Sequence, residues 1–60
     1  MKKIRILIVE DHEVVIKGIK TLLEPYDELE IVGSAQDSEE DMRKTRELRP
    51  DIVIMDINLP

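Results

Sequence analysis

Apolar positions fall into three dense runs separated by two stretches of longer period. From Ile4 to Val9 only Arg5 is polar, the pattern of a strand buried on both faces of a parallel sheet. Asp11, His12 and Glu13 suit the start of a helix. Val14, Val15, Gly18, Ile19, Leu22 and Leu23 then recur at helical spacing and predict one apolar face. Pro25 stops that helix. Leu29 to Ala35 predicts a second strand centred on Ile31 and Val32. Ser38-Glu39-Glu40-Asp41 is like a capping box with Asp in the last place. It opens a second helix, acidic at its start and basic toward its end at Arg43, Lys44 and Arg46, as the helix dipole favours. Met42 and Leu48 are its core candidates, and Arg49-Pro50 ends it. Ile52 to Met55 predicts a third buried strand, running into Asp56-Ile57-Asn58-Leu59-Pro60.

Strand, helix, strand, helix, strand with short connections is an α/β pattern. It implies right-handed crossovers and a parallel sheet. The order 2-1-3, with a helix on each face, places the most apolar strand centrally and makes half of a doubly wound fold. It leaves the third strand as a bare apolar edge, a site for pairing with another chain.

Composition narrows the chemistry. Sixty residues suffice for one small domain, and the absence of cysteine excludes disulfides and thiolate zinc sites. With a single histidine, a metal here would be held by oxygen, which favours hard cations such as magnesium. A formal net charge of -5 argues against direct nucleic-acid contact. The apolar runs fall far short of the ~20 residues that span a membrane, and no secretory leader is evident, so a soluble chain is expected.

In open parallel sheets, ligands bind beyond the carboxyl ends of the strands, where the winding reverses. For order 2-1-3 that place lies between strands one and three. Glu10 and Asp11 end the first strand and Asp56 ends the third, so three carboxylates are predicted to converge. Two carboxylates ~4 Å apart repel by about 4 kcal/mol at an effective dielectric near 20. A proton or a cation must offset that repulsion. A partly hydrated magnesium ion answers it and would let a phosphoryl donor approach an anionic nucleophile. In line attack by Asp56 would then give an aspartyl phosphate. The plainer alternative makes Glu10 and Asp11 a solvated cap and Asp56 a turn residue. His12 reads as a solvated helix-start residue and not a ligand, Gly18 as a point of close helix–sheet packing. Arg43, Lys44, Arg46 and Arg49 read as a solvated face.

Ile6-Leu7-Ile8-Val9-Glu10-Asp11-His12, then Val14-Val15, Gly18 and Leu22-Leu23, then Pro50-Asp51-Ile52-Val53-Ile54-Met55-Asp56-Ile57-Asn58-Leu59-Pro60, carry a resemblance. Together they resemble a bacterial two-component response-regulator receiver domain, in the subclass with a helix-turn-helix DNA-binding output. The resemblance covers the whole chain. It implies a flavodoxin-like fold, phosphorylation of Asp56 by a sensor histidine kinase or a small phosphodonor, and a cytoplasmic location. It also implies that Glu10 and Asp11 position Mg2+, with Asp56 and the backbone carbonyl of Asn58 as further ligands.

A receiver is roughly twice this length, so residues 1–60 correspond to its N-terminal half. The hydroxyl residue and lysine of the later strands have no counterpart here: Lys2, Lys3, Lys17, Lys20 and Lys44 lie in the wrong segments. The isolated chain is therefore expected to be inactive or weak in phosphoryl transfer, which depends on positioning and charge stabilisation. It is a signalling module by this reading, not an enzyme. A self-associating half-flavodoxin-like scaffold that retains the acidic motif is the competing function. Either way a homodimer is expected, through the third-strand edge or by segment exchange. An aspartyl-nucleophile phosphatase would need a second Asp where Asn58 stands, and no glycine-rich loop supports nucleotide binding.

Overall fold

Each apolar run forms a strand and each helical-period segment a helix. The computed structural model describes residues 2–55. The order is β1 (Ile4–Val9), α1 (Glu13–Leu23), β2 (Leu29–Ala35), α2 (Ser38–Leu48) and β3 (Ile52–Met55). The strands form one parallel sheet in the order β2-β1-β3, as the pattern predicts.

β1 is central because it is the most apolar strand. Leu7 and Ile8 are fully buried and Ile6 is 3% exposed. Each such side chain contributes about 1.5–3 kcal/mol relative to exposure. Ile6 and Ile8 point to one face, where Ile16, Ile19 and Leu23 of α1 pack with Leu29, Ile31 and Ile54. Leu7 points to the other face, beneath α2.

The register of β1 with β2 shifts between Ile6 and Leu7, so Ile6 pairs with Ile31 but Leu7 with Gly33. Val32 is the extra residue of a bulge, and it moves Gly33 onto the α2 face. A methyl group on Gly33 would stand 2.9 Å from Leu48 Cδ1. The missing side chain is what lets α2 approach β2. Lys44 adds a tie, its Nζ donating to the Ser34 carbonyl.

Four expectations about the helices change. The buried face of α1 is centred on Ile16, Ile19 and Leu23, while Val14 and Leu22 are exposed. The helix is rotated so that the flank carrying Val14, Gly18 and Leu22 faces away from the sheet. Gly18 accordingly has nothing within 4 Å of where a Cβ would sit, so it is no point of close packing.

The α2 cap starts one residue earlier than predicted. Asp37 is the N-cap, its Oδ1 accepting from Glu40 N at 2.8 Å, and Glu40 Oε1 accepts from Gln36 N at 2.7 Å. Glu40 reaches back in place of Asp41, because glutamate is the longer side chain. Asp41 Oδ1 instead accepts from Thr45 Oγ1 at 3.0 Å. Met42 is exposed, which leaves Leu48 as the apolar contact of α2 with the sheet.

At the amino ends of the strands, Arg5 holds three segments together. Its Nη2 donates to the Leu48 carbonyl at 2.7 Å, where a cation complements the helix end. Its backbone N–H donates to Asp51 Oδ2 at 2.9 Å, and Asp51 N–H donates to the Arg5 carbonyl at 2.7 Å. Arg49, in the left-handed region at φ 50°, ends α2 before Pro50.

Candidate functional site

The carboxyl end of β1 carries an acidic pair whose members are held differently. Glu10 N–H donates to the Ala35 carbonyl at 2.8 Å, which extends the β1–β2 ladder one residue beyond the strand. The Glu10 side chain is 7% exposed. A buried carboxylate needs partners. Glu10 Oε1 accepts from the backbone N–H groups of Asp11 and His12, both at 3.1 Å. These two N–H groups lie ahead of α1, whose N-cap residue, His12, makes no side-chain cap bond. The His12 carbonyl accepts the first helical bonds, from Val15 and Ile16.

Asp11 is exposed, two-thirds of its side chain in contact with solvent, so the pair comprises one fixed and one adjustable carboxylate. The His12 ring is equally exposed but turns back over both. Its Nδ1 lies 2.7 Å from Glu10 Oε1 and 2.8 Å from Asp11 Oδ1. Glu10, Asp11 and His12 each offer one ligand atom, all within 4.8 Å of one another. The sequence reads His12 as a solvated helix-start residue, and the structure makes it the exposed N-cap residue of α1.

Asp56 and Asn58 lie outside the described residues. β3 is described to Met55, which pairs with Val9, the residue before Glu10. The described part of β3 thus ends level with the acidic pair on the neighbouring strand. The donor set suits a hard divalent cation: carboxylate oxygens, one of them buried and fixed by backbone N–H groups. Among the described residues, no buried side-chain polar atom is left without a partner.

In an open parallel α/β sheet ligands bind beyond the carboxyl ends of the strands, and Glu10 and Asp11 lie at that end of the central strand. The sequence matches the response regulator receiver domain family over residues 6–60. The chain belongs to that family. It is 47% identical over 57 residues to response regulator GacA of Pseudomonas viridiflava, covering 95% of this chain and 27% of that protein. A protein-glutamate methylesterase/protein-glutamine glutaminase of Caldanaerobacter subterraneus subsp. tengcongensis is 41% identical over 59 residues, covering 98% of this chain and 16% of that one. The transcriptional regulatory protein LnrK of Bacillus subtilis (strain 168) is 40% identical over 57 residues, covering 95% of this chain and 26% of that one. The chain therefore spans about a quarter or less of the length of these relatives. No solved structure gives a significant match. No helix among the described residues is long and apolar enough to cross a membrane.

Proposed function

We propose that this chain is the phosphoacceptor half of a receiver domain in a two-component system, phosphorylated on Asp56 in a Mg2+-dependent reaction. Residues 1–60 form its single domain. Glu10 and Asp11 hold the cation, with Asp56 and the Asn58 backbone carbonyl as further ligands. The buried, backbone-anchored carboxylate of Glu10 carries this reading, because β1 and the described end of β3 reach the same edge of the sheet. The cation neutralises the carboxylates so that a phosphoryl donor can approach, and the Asp56 oxygen attacks phosphorus as the donor's leaving group departs. The donor is a sensor histidine kinase or an acyl phosphate. The module signals and is not itself an enzyme. It works in the cytoplasm and serves a helix-turn-helix DNA-binding output, in line with relatives titled transcriptional regulatory proteins. It makes no nucleic-acid contact of its own.

The test is incubation with Mg2+ and an acyl phosphate, followed by mass spectrometry. One phosphoryl group is expected on Asp56, lost on removal of Mg2+ and absent in Asp56→Asn. A gain that survives the substitution refutes the acceptor assignment.

One observation favours the scaffold reading. Ile52, Val53 and Met55 of edge strand β3 are 46%, 40% and 49% exposed. Antiparallel pairing of β3 with a second copy would give a six-stranded sheet and a homodimer; exchange of segments would reach the same end. Absence of any phosphoryl gain in a chain that dimerises would favour this scaffold over the signalling module.

A further inference from the structure

We propose that α2 closes the β2 edge of the sheet to strand pairing, with Lys44 as the closing residue, so that lateral association with a second copy is confined to β3 and stops at two chains. The inference rests on the β3 pairing of the scaffold reading and adds what limits it.

The sheet order β2-β1-β3 leaves two outer strands, and an outer strand offers its backbone groups to another chain. Two open edges let copies add without limit, whereas a single open edge paired about a two-fold axis is used up in a dimer. The two edges differ here. On β3, Ile52, Val53 and Met55 are exposed, and among the described residues no hydrogen bond from outside the sheet reaches the strand.

On β2 the outward backbone groups are taken up. Successive residues of a strand face opposite sides of the ladder. The Ala35 carbonyl accepts from Glu10 on the β1 side, so the Ser34 carbonyl points outward. Lys44 Nζ donates to that Ser34 carbonyl and thus lies across the edge. Gln36 N–H, two residues on, donates to Glu40 Oε1 at 2.7 Å. At the other end of the strand, Leu29 N–H donates to the Tyr26 carbonyl at 3.1 Å. Between these points the bulge at Val32 breaks the regular spacing that a pairing strand needs. Glu40 joins two of the caps, since its Oε2 lies 3.8 Å from Lys44 Nζ. A strand laid on this edge must therefore displace a charged amine that already holds a carbonyl and a carboxylate. A lysine, a bulge and a covering helix are each known means of blunting a sheet edge.

The experiment is sedimentation of the full chain over a range of micromolar concentrations, repeated for Lys44→Met, Lys44→Ala, Lys44→Arg and Val53→Lys combined with Lys44→Met. Circular dichroism confirms that each variant folds. Methionine keeps the apolar stem but removes the charge and the donor; alanine keeps the helix, being its best former; arginine keeps both charge and donor. Wild type and Lys44→Arg should stop at two copies. Lys44→Met and Lys44→Ala should grow past two copies as concentration rises. The double variant, with β3 closed and β2 opened, should return to two. Folded Lys44→Met and Lys44→Ala that match wild type in size at every concentration overturn the proposal, as does a wild type that itself grows past two copies. A wild type that stays a folded monomer removes the β3 pairing alone. Lys44→Met then decides: a dimer upholds the closed β2 edge, and a monomer overturns it.

Discussion

Replacing Gly18 by alanine should stabilise the chain. Gly18 lies in the middle of α1, with a negative-side φ like every glycine here, and nothing stands within 4 Å of the position a Cβ would take. The substitution therefore introduces no clash. It removes the conformational freedom that glycine retains in the unfolded chain and supplies the better helix former, a gain of about 1 kcal/mol. For a domain of this size that corresponds to a rise in Tm of about 4–8 °C. Thermal unfolding followed by circular dichroism at fixed protein concentration reads it directly. Gly33→Ala provides the contrast, because its methyl group would stand 2.9 Å from Leu48 Cδ1 and force that leucine to shift. Gly18→Ala should be the more stable of the two variants. A drop in Tm for Gly18→Ala would refute the reasoning. It would mean that the outer flank of α1 is occupied in solution, and a concentration-dependent deficit would identify the occupant as a second copy.

Other outcomes follow from the caps and the sheet edge. Asp37→Ala should lose about 1 kcal/mol in urea unfolding because it removes the acceptor for Glu40 N–H, whereas Asp37→Asn and Ser38→Ala should stay close to wild type. A large loss in Ser38→Ala would restore the cap predicted from sequence. Val53→Lys places a charge on the exposed edge strand and should shift sedimentation at micromolar concentration from dimer to monomer. A wild type that sediments as a folded monomer under the same conditions removes the proposed pairing.

Strand positions were legible as apolar, largely β-branched runs, but β3, predicted as a buried strand, is an edge strand whose Ile52, Val53 and Met55 are exposed. Ile4–Val9, Leu29–Ala35 and Ile52–Met55 each stand out from their polar flanks. Pro25 and Pro50 punctuate the chain where the helices have ended. The orientation of α1 was harder to read. Val14, Ile16, Ile19, Leu22 and Leu23 span more of its circumference than the sheet covers, and periodicity alone does not say which flank is left over. The α2 cap was misplaced by one residue because Asp37 and Ser38 are both good N-caps. The reach of Glu40 decided between them, and reach is a property of side-chain length and not of pattern. The bulge at Val32 left no local mark, since the pairing it adjusts is with a distant strand. At the site, the acidic pair was visible as sequence, but its division into a buried and an exposed carboxylate is a property of the folded chain. His12 is the solvated helix-start residue that the sequence suggests, but only coordinates show that its ring turns back to Glu10 and Asp11.

The Arg5–Asp51 pair sits at the far end of the sheet from the acidic residues, yet it governs what happens there. β3 has only four residues, too few for its own ladder to enforce alignment, and a slip of one position would turn Ile52 and Ile54 to the wrong side. The doubly bonded contact between Arg5 and Asp51 anchors the strand at its entry, so its exit at Met55 is indexed against Val9. Damage to an exposed aspartate remote from the chemistry would thus be felt as misalignment at the opposite rim.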